Sequence, residues 1–269
     1  MEKGAVAMNT LRSNSCLNNQ QSSQDNTLLS ALPVACYQRL SPYLHQTRLE
    51  LGQTTHDSRL QSKDLYFPTT SIVSLMTYTK DGSSSEVAVI GKEGVVDVAL
   101  MIGSGHFSCG TVQIAGYAYR ISAKVLKAEF NKGEALQHLL LRYMQALITQ
   151  ISLTAVCNRH HAIEQQLCRW LLLNLDRSTT NSLSMTHELI ANNLGVRREG
   201  VSEAASKLQI KKLIQYSRGR ITVLDRRGLE ILACECYSVV QREYNRLLLA
   251  DTSSGRTLLY PQRLQVASR

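Results

Sequence analysis

The chain divides into three stretches by the rhythm of its apolar positions. Residues 1–30 contain no aromatic side chain and are rich in Asn, Gln and Ser, as in Asn18-Asn19-Gln20-Gln21-Ser22-Ser23. Such a segment cannot bury enough apolar surface to offset its ordering entropy, which predicts a tail. A short helix is expected from about Leu32 to Ser41. Residues from about 47 to 130 read as strands. Ile72-Val73-Ser74-Leu75-Met76-Thr77-Tyr78 is apolar and β-branched, Lys80-Asp81-Gly82-Ser83 carries the Asp-Gly hairpin signal, and Glu86-Val87-Ala88-Val89-Ile90 returns. Glycines at 82, 91, 94, 103, 105, 110 and 116 mark frequent turns. Short strands at this spacing predict a small barrel or roll.

At Gly133 the period changes to helical. No Gly or Pro interrupts Glu134 to Cys157, and Leu140, Met144, Leu147, Ile151 and Thr154 step by four and three. Leu136, Leu139, Tyr143 and Ile148 add apolar positions around the same helix. One stripe can cover the roll while another meets a partner helix. We assign the seam of a homodimer to Leu140, Met144, Leu147, Ile151 and Thr154; the alternative is a helix buried inside one subunit. A further helix is predicted from Ala162 to Leu175, then a loop over 176–182, then mostly helix to about 250 with one short hairpin. The expected organisation is a tail (1–30), a β-roll (31–132), a dimerisation helix (133–158), a C-terminal domain (159–250) and a second tail (251–269).

Residues 187–206 carry the pattern of a helix-turn-helix. Ala191 is small where two helices cross, Gly195 sits where the turn needs a left-handed backbone, and Val201 packs back onto Ala191. Ile190, Leu194, Val196, Ala204 and Leu208 complete the apolar face, and the second helix is read as ending between Leu208 and Ile214. Tyr216-Ser217-Arg218-Gly219-Arg220-Ile221-Thr222-Val223-Leu224 follows as strand, basic turn and strand, the form of a wing. The base-reading end of the second helix offers Arg197, Arg198 and Glu199, since Arg can fork onto guanine and Glu can accept from cytosine. Ser202 and Glu203 lie one turn on and Lys207 another, with local pairing of Glu203 to Lys207 as the alternative. Arg218 and Arg220 at the wing tip are placed to meet phosphates. Lys211 and Lys212 either reach the backbone or stay solvated.

Composition agrees with a polyanion partner. The 269-residue chain has net charge +9, from 30 Lys and Arg against 21 Asp and Glu. Twelve basic and six acidic side chains fall between residues 158 and 228. No run of about 18 uninterrupted apolar residues predicts a membrane span, and no apolar leader predicts export, so a cytoplasmic protein with free thiols is expected. Three cysteine arrangements stand out in the sequence. Cys157, His160, His161 and Cys168 have partly ligand-like spacing and support the alternative of a metal or redox sensor. Cys234-Glu235-Cys236, if helical, points its thiols about 200° apart, which predicts buried, inert sulfurs. His160 beside Cys157 is the best nucleophile–base pair, and nothing completes it, so no enzyme activity and no cofactor are expected.

The chain resembles bacterial transcription regulators of the Crp–Fnr superfamily over about residues 32–245. The resemblance rests on Tyr66-Phe67-Pro68, Ile72-Val73-Ser74-Leu75, Gly91-Lys92-Glu93-Gly94, Cys157-Asn158-Arg159-His160-His161, Leu167-Cys168-Arg169-Trp170, Leu194-Gly195-Val196-Arg197-Arg198 and Tyr216-Ser217-Arg218-Gly219-Arg220. It implies an α+β fold: an N-terminal antiparallel β-roll of the cyclic-nucleotide-binding (double-stranded β-helix, jelly-roll) type, a long dimerisation helix and a C-terminal winged helix-turn-helix. It also implies a homodimer on near-palindromic double-stranded DNA. RNA polymerase and an unidentified small-molecule effector are further partners on this reading. The family's base-reading Arg-Glu pair falls on Arg198 and Glu199, whereas its next basic residue is replaced by Glu203. Members that bind cyclic AMP carry Gly-Glu-Leu and, later, Arg-Ser. Here the stretch reads Gly94-Val95-Val96-Asp97-Val98-Ala99-Leu100, then Phe107-Ser108-Cys109-Gly110-Thr111. No Arg is present to hold a phosphate, and Asp97 would repel one, so cyclic AMP is not expected to bind in the usual way.

Overall fold

A computed structural model describes residues 25–55, 64–101 and 108–249. The tails at 1–24 and 250–269, Cys16 and Phe107 lie outside the described residues. The chain opens with helices α1 (Thr27–Ser30) and α2 (Val34–Leu40) and a 3-10 turn at Ser41–Tyr43. Strands β1 (His45–Leu49), β2 (Asp64–Pro68), β3 (Ile72–Tyr78), β4 (Ser84–Ile90), β5 (Ser108–Ile114) and β6 (Gly116–Ser122) follow, with a 3-10 turn at Val98–Met101. They form two antiparallel sheets of order β1-β6-β2 and β4-β3-β5, tied by bridges from Thr54 to Thr111 and from Tyr66 to Val96. Leu49, Leu65, Phe67, Ile72, Val73, Val89, Val112, Tyr119 and Ile121 fill the space between them.

The Asp-Gly hairpin forms between β3 and β4. Gly82 takes φ +86°, and Thr79 and Ser83 close the loop at 2.9 Å while Asp81 Oδ1 accepts from the Ser83 amide at 3.1 Å. Two boundaries differ from the expectations. Residues 25–30 are not tail: the Asn26 side chain caps α1, donates to Pro68 O and Gly94 O at 2.8 and 2.9 Å, and sets Leu28 and Leu29 into the core. Two leucines and one capping amide are enough to order that turn. Residues 123–130 are helix α3 (Ala123–Phe130) rather than strand, with Leu126 buried against the roll.

Gly133, at φ +75°, breaks α3 from helix α4 (Ala135–His160). By composition α4 is long and apolar enough to cross a bilayer, but Leu136, Leu139, Leu140, Tyr143, Ala146 and Leu147 are buried inside this fold. That burial corrects the expected seam. Leu140, Leu147 and Thr154 are covered by their own subunit, and only Met144 and Ile151 of the five assigned residues retain partial exposure. The period locates a stripe but not what covers it; here the roll and the C-terminal helices share it, and Arg169 donates to Thr154 Oγ1. The outward stripe is Leu141, Gln145, Ile148, Ser152 and Ala155, with Val156 beside it.

Helix α5 (Ile163–Leu175) turns back from α4, and the amide of its N-cap residue Ala162 donates to Gln165 Oε1 at 3.2 Å. Strand β7 (Ser182–Ser184), helix α6 (His187–Leu194), helix α7 (Arg198–Ile210), strands β8 (Ile214–Ser217) and β9 (Arg220–Val223), and helices α8 (Arg226–Leu232) and α9 (Glu235–Tyr244) complete the described chain, with a π-helical turn at Asn245–Leu249. The hydrophobic core runs without a break from the roll into these helices.

Polar ties join the two halves. On β4 the buried Glu86 accepts from Trp170 Nε1 of α5 at 3.0 Å and from the Ser74 hydroxyl. Burial pushes its carboxyl up to about 7, against the pull of the Ser74 hydrogen bond and of Arg169. A raised carboxyl pKa means that folding favours the protonated form. The associated stability is fully present below about pH 4.5 and is lost as pH rises through about 7. The unfolding free energy from urea titrations of the native chain should therefore fall over that window by up to ~1.4 kcal/mol per pH unit from this one proton. Glu86→Gln should flatten that slope; an unchanged slope would assign it to other groups.

Candidate nucleic-acid interface

Helix α6 begins at Thr186, whose hydroxyl accepts from the Leu189 amide at 3.2 Å, and ends at Gly195 in the left-handed region, at φ 66° and ψ 34°. The Val196 amide then reaches back to Ala191 O at 3.0 Å, closing the turn in the manner of a Schellman cap. Ala191 and Val201 are both buried where the two helices cross, with Ile190, Leu194, Ala204 and Leu208 around them. Gly200 was not singled out in the sequence, yet a Cβ there would lie 2.7 Å from Ile163 Cδ1, so α7 approaches α5 closely at that point. Helix α7 stops at Ile210, within the expected range of Leu208 to Ile214; Lys212 turns left-handed and Ile214 already pairs with Val223.

The hairpin is a wing. Arg218 and Gly219 both take positive φ, 49° and 74°, between paired residues Ser217 and Arg220. Two such residues make a type I′ turn, which matches the twist of the strands it joins. A third strand went unread: β7 pairs with β9, and Ser182 and Thr222 hydroxyls meet at 2.8 Å. A three-residue strand is too short to show a period. The wing is braced on the helices. The Tyr216 ring stacks on His187 with centroids 4.0 Å apart, and a Cβ on Gly219 would lie 3.8 Å from Thr186. Wing tip and helix-turn-helix therefore share one side of the domain.

On that side Arg197, Arg198, Glu199, Glu203, Lys207, Arg218 and Arg220 are exposed. Among the described residues none of Arg197, Arg198, Arg218 and Arg220 forms an ion pair. Glu203 and Lys207 pair with each other at 2.8 Å, and Lys207 holds the Glu203 carboxyl below its usual range. Ser202 is half-buried and its hydroxyl meets His187 Nδ1 at 2.9 Å. Burial, helped by Arg198, lowers the His187 pKa and favours the neutral ring. Ser202 thus braces the two helices as well as facing the groove side. Lys211 leans onto Glu164 of α5 at 2.5 Å. The basic excess of the region also overstates the charge on this face. Arg169 and Arg177 are buried, and Arg226 is engaged with Asp176 and Glu230.

The remaining sites can be placed. Gly94 lies against α4, where a Cβ would come within 2.7 Å of Tyr143, whose hydroxyl donates to Val95 O at 3.0 Å. Asp97 is buried with a left-handed backbone, φ 63°. Of the four residues with partly ligand-like spacing, Cys157 and His161 come together, His160 is exposed, and Cys168 is buried elsewhere in the core.

Residues 165–232 match the family described as the Crp-like helix-turn-helix domain. No curated protein sequence matches the chain. Among solved structures, a chain described as a Crp/Fnr-family transcriptional regulator from Eubacterium rectale superposes with TM-score 0.61 at 20% identity, covering 76% of this chain and 96% of that one. FixK2 from Bradyrhizobium japonicum gives 0.58 at 16%, covering 71% and 98%. The c-di-GMP-responsive regulator CLP of Xanthomonas campestris gives 0.54 at 13%, covering 71% and 99%. The protein thus has the α+β fold seen in solved Crp/Fnr-family regulators, with a Crp-like helix-turn-helix domain in its C-terminal half.

Proposed function

We propose that the protein is a homodimeric, sequence-specific DNA-binding transcription regulator of the cytoplasm that works without cyclic AMP held in the usual way. The observation that carries this reading is the unpaired, exposed tip of α7 beside a braced wing turn, which together present four arginines to one side. Arg197, Arg198 and Glu199 enter the major groove and read base edges. Arg218 and Arg220 grip phosphates, and the Glu203–Lys207 pair presents little net charge to the groove. The roll serves as a scaffold or as a sensor of an effector other than cyclic AMP, since the buried Asp97 and the lack of an arginine in its phosphate stretch disfavour a cyclic phosphate. Selection from random duplexes is expected to return near-palindromes with half-sites about 34 Å apart; recovery of no enriched sequence would overturn the reading.

The dimer is proposed to close through the outward stripe of α4. Leu141 and Ile148 stand half or more exposed at heptad spacing, and Val156 continues the face. Leu141→Glu with Ile148→Glu should convert dimers to monomers in sedimentation without unfolding the chain. A persisting dimer would place the seam elsewhere.

A further inference from the structure

The last turn of α4 meets the start of α9. Cys157 belongs to α4 and His161 caps it. Cys234 caps α9 and Cys236 lies in its first turn. As the N-cap, Cys234 has extended backbone, φ −73° and ψ 163°. The helical spacing that would turn the two thiols apart therefore does not apply. The three sulfurs form a buried cluster of their own under Leu153, outside the main core. Their Sγ atoms and a ring nitrogen of His161 all lie within 4.8 Å of one another. Cys157 Sγ and Cys234 Sγ are 3.5 Å apart, and Cys236 Sγ and His161 Nδ1 are 3.7 Å apart.

We propose that Cys157, His161, Cys234 and Cys236 form a zinc-class metal site that pins the end of the long helix to α9. Three buried thiolates and one half-buried imidazole are the donor set of a structural tetrahedral zinc centre. With Zn–S bonds of about 2.3 Å, the ligand–ligand edges of such a tetrahedron are about 3.8 Å. Two of the donor pairs, at 3.5 and 3.7 Å, already stand near that length, and no pair is wider than 4.8 Å, so binding needs an inward closure of about 1 Å at most. His161 ligates through Nδ1. Its Nε2 lies 3.5 Å from Glu235 Oε1, the carboxylate partner that fixes a ligating ring. Metal entry releases three thiol protons to solvent and leaves a centre of net charge −1. Arg169 supplies a compensating charge. It is buried, donates to Thr154 Oγ1 at 2.5 Å, leaves its Nε without a partner among the described residues, and acts electrostatically on Cys157 and Cys236. This inference stands independently of the DNA-binding reading.

The test uses the full chain, purified reduced and without chelator. Elemental analysis should find one zinc per chain. The metal-free chain titrated with Co2+ should reach one equivalent, with thiolate-to-cobalt charge-transfer bands and the intense visible bands of tetrahedral cobalt. Cys236→Ser and His161→Gln should each weaken Zn2+ binding by more than the roughly 10–100-fold that loss of an outer partner costs. His161 is only half-buried and sits at a helix cap, so its variant tests the site even if a cysteine variant fails to fold. Cys168→Ser should keep one equivalent. Cobalt binding without charge transfer, or retained in full by His161→Gln, would overturn the proposal. So would a chain that takes up no metal and instead yields a Cys157–Cys234 disulfide by mass.

Discussion

Glu93→Gln is expected to lower the unfolding free energy by about 3 kcal/mol, the lower end of what breaking a buried ion pair costs. Glu93 belongs to the Gly91-Lys92-Glu93-Gly94 turn of the roll, and Arg177 follows α5. Arg177 Nε meets Glu93 Oε1 at 2.6 Å, with the arginine side chain 4% exposed and the carboxylate 19%. The guanidinium also donates to Leu173 O at 2.7 Å and lies 5.7 Å from the centre of the Tyr244 ring. Gly91 makes room for it, since a Cβ there would come within 2.8 Å of Arg177. Removing the carboxylate leaves a cation in the interior with no counter-charge at contact distance. Partial exposure of Glu93 lets water recover part of the loss, which sets the estimate at the low end. Urea midpoints measure the effect, and Arg177→Met in the Glu93→Gln background should restore part of it. An unshifted midpoint for the single variant would remove the pair from the account of how the two halves are held.

Arg198→Ala should cost about 1–3 kcal/mol at one base position of each half-site and relax the choice of base there. Arg198 stands at the exposed start of α7, and among the described residues it has no ion pair to divert it. Arg218→Ala, at the wing turn, should instead weaken all duplexes alike and make the plot of log affinity against log salt shallower by about 1 per subunit. Anisotropy titrations over several salt concentrations distinguish the two effects. Equal loss on every sequence would make Arg198 a phosphate contact, and an unchanged salt slope for Arg218→Ala would take the wing out of the interface.

Local chemistry made much of this legible before any coordinates. The Asp81-Gly82 turn, the break at Gly133, the left-handed Gly195 and the basic turn at Arg218-Gly219 each follow from what one or two residues permit. Which face of α4 the fold leaves open was not legible in that way. Two apolar stripes share one helix, and only tertiary packing decides that Leu140 and Leu147 go inward while Leu141 and Ile148 stay out. The ordering of Asn26 to Ser30 depends on carbonyls at Pro68 and Gly94, which no local pattern announces. The cysteine cluster was missed for a related reason. Cys234 caps its helix instead of lying within it, and Cys157, whose Sγ stands 3.5 Å away, lies 77 residues earlier in the chain.

The turn of the helix-turn-helix rests on the roll. Asn193 accepts from Gln113 Nε2 and from Ser85 Oγ, each at 3.4 Å, and a Cβ on Gly195 would lie 3.2 Å from Ser85 Oγ. A fragment cut to begin at Ile163 would carry every proposed DNA contact but strip the cover from Trp170 and Asn193. It should bind dyes that seek exposed apolar surface and precipitate readily. Dissection of this protein is therefore better done by point substitution than by truncation.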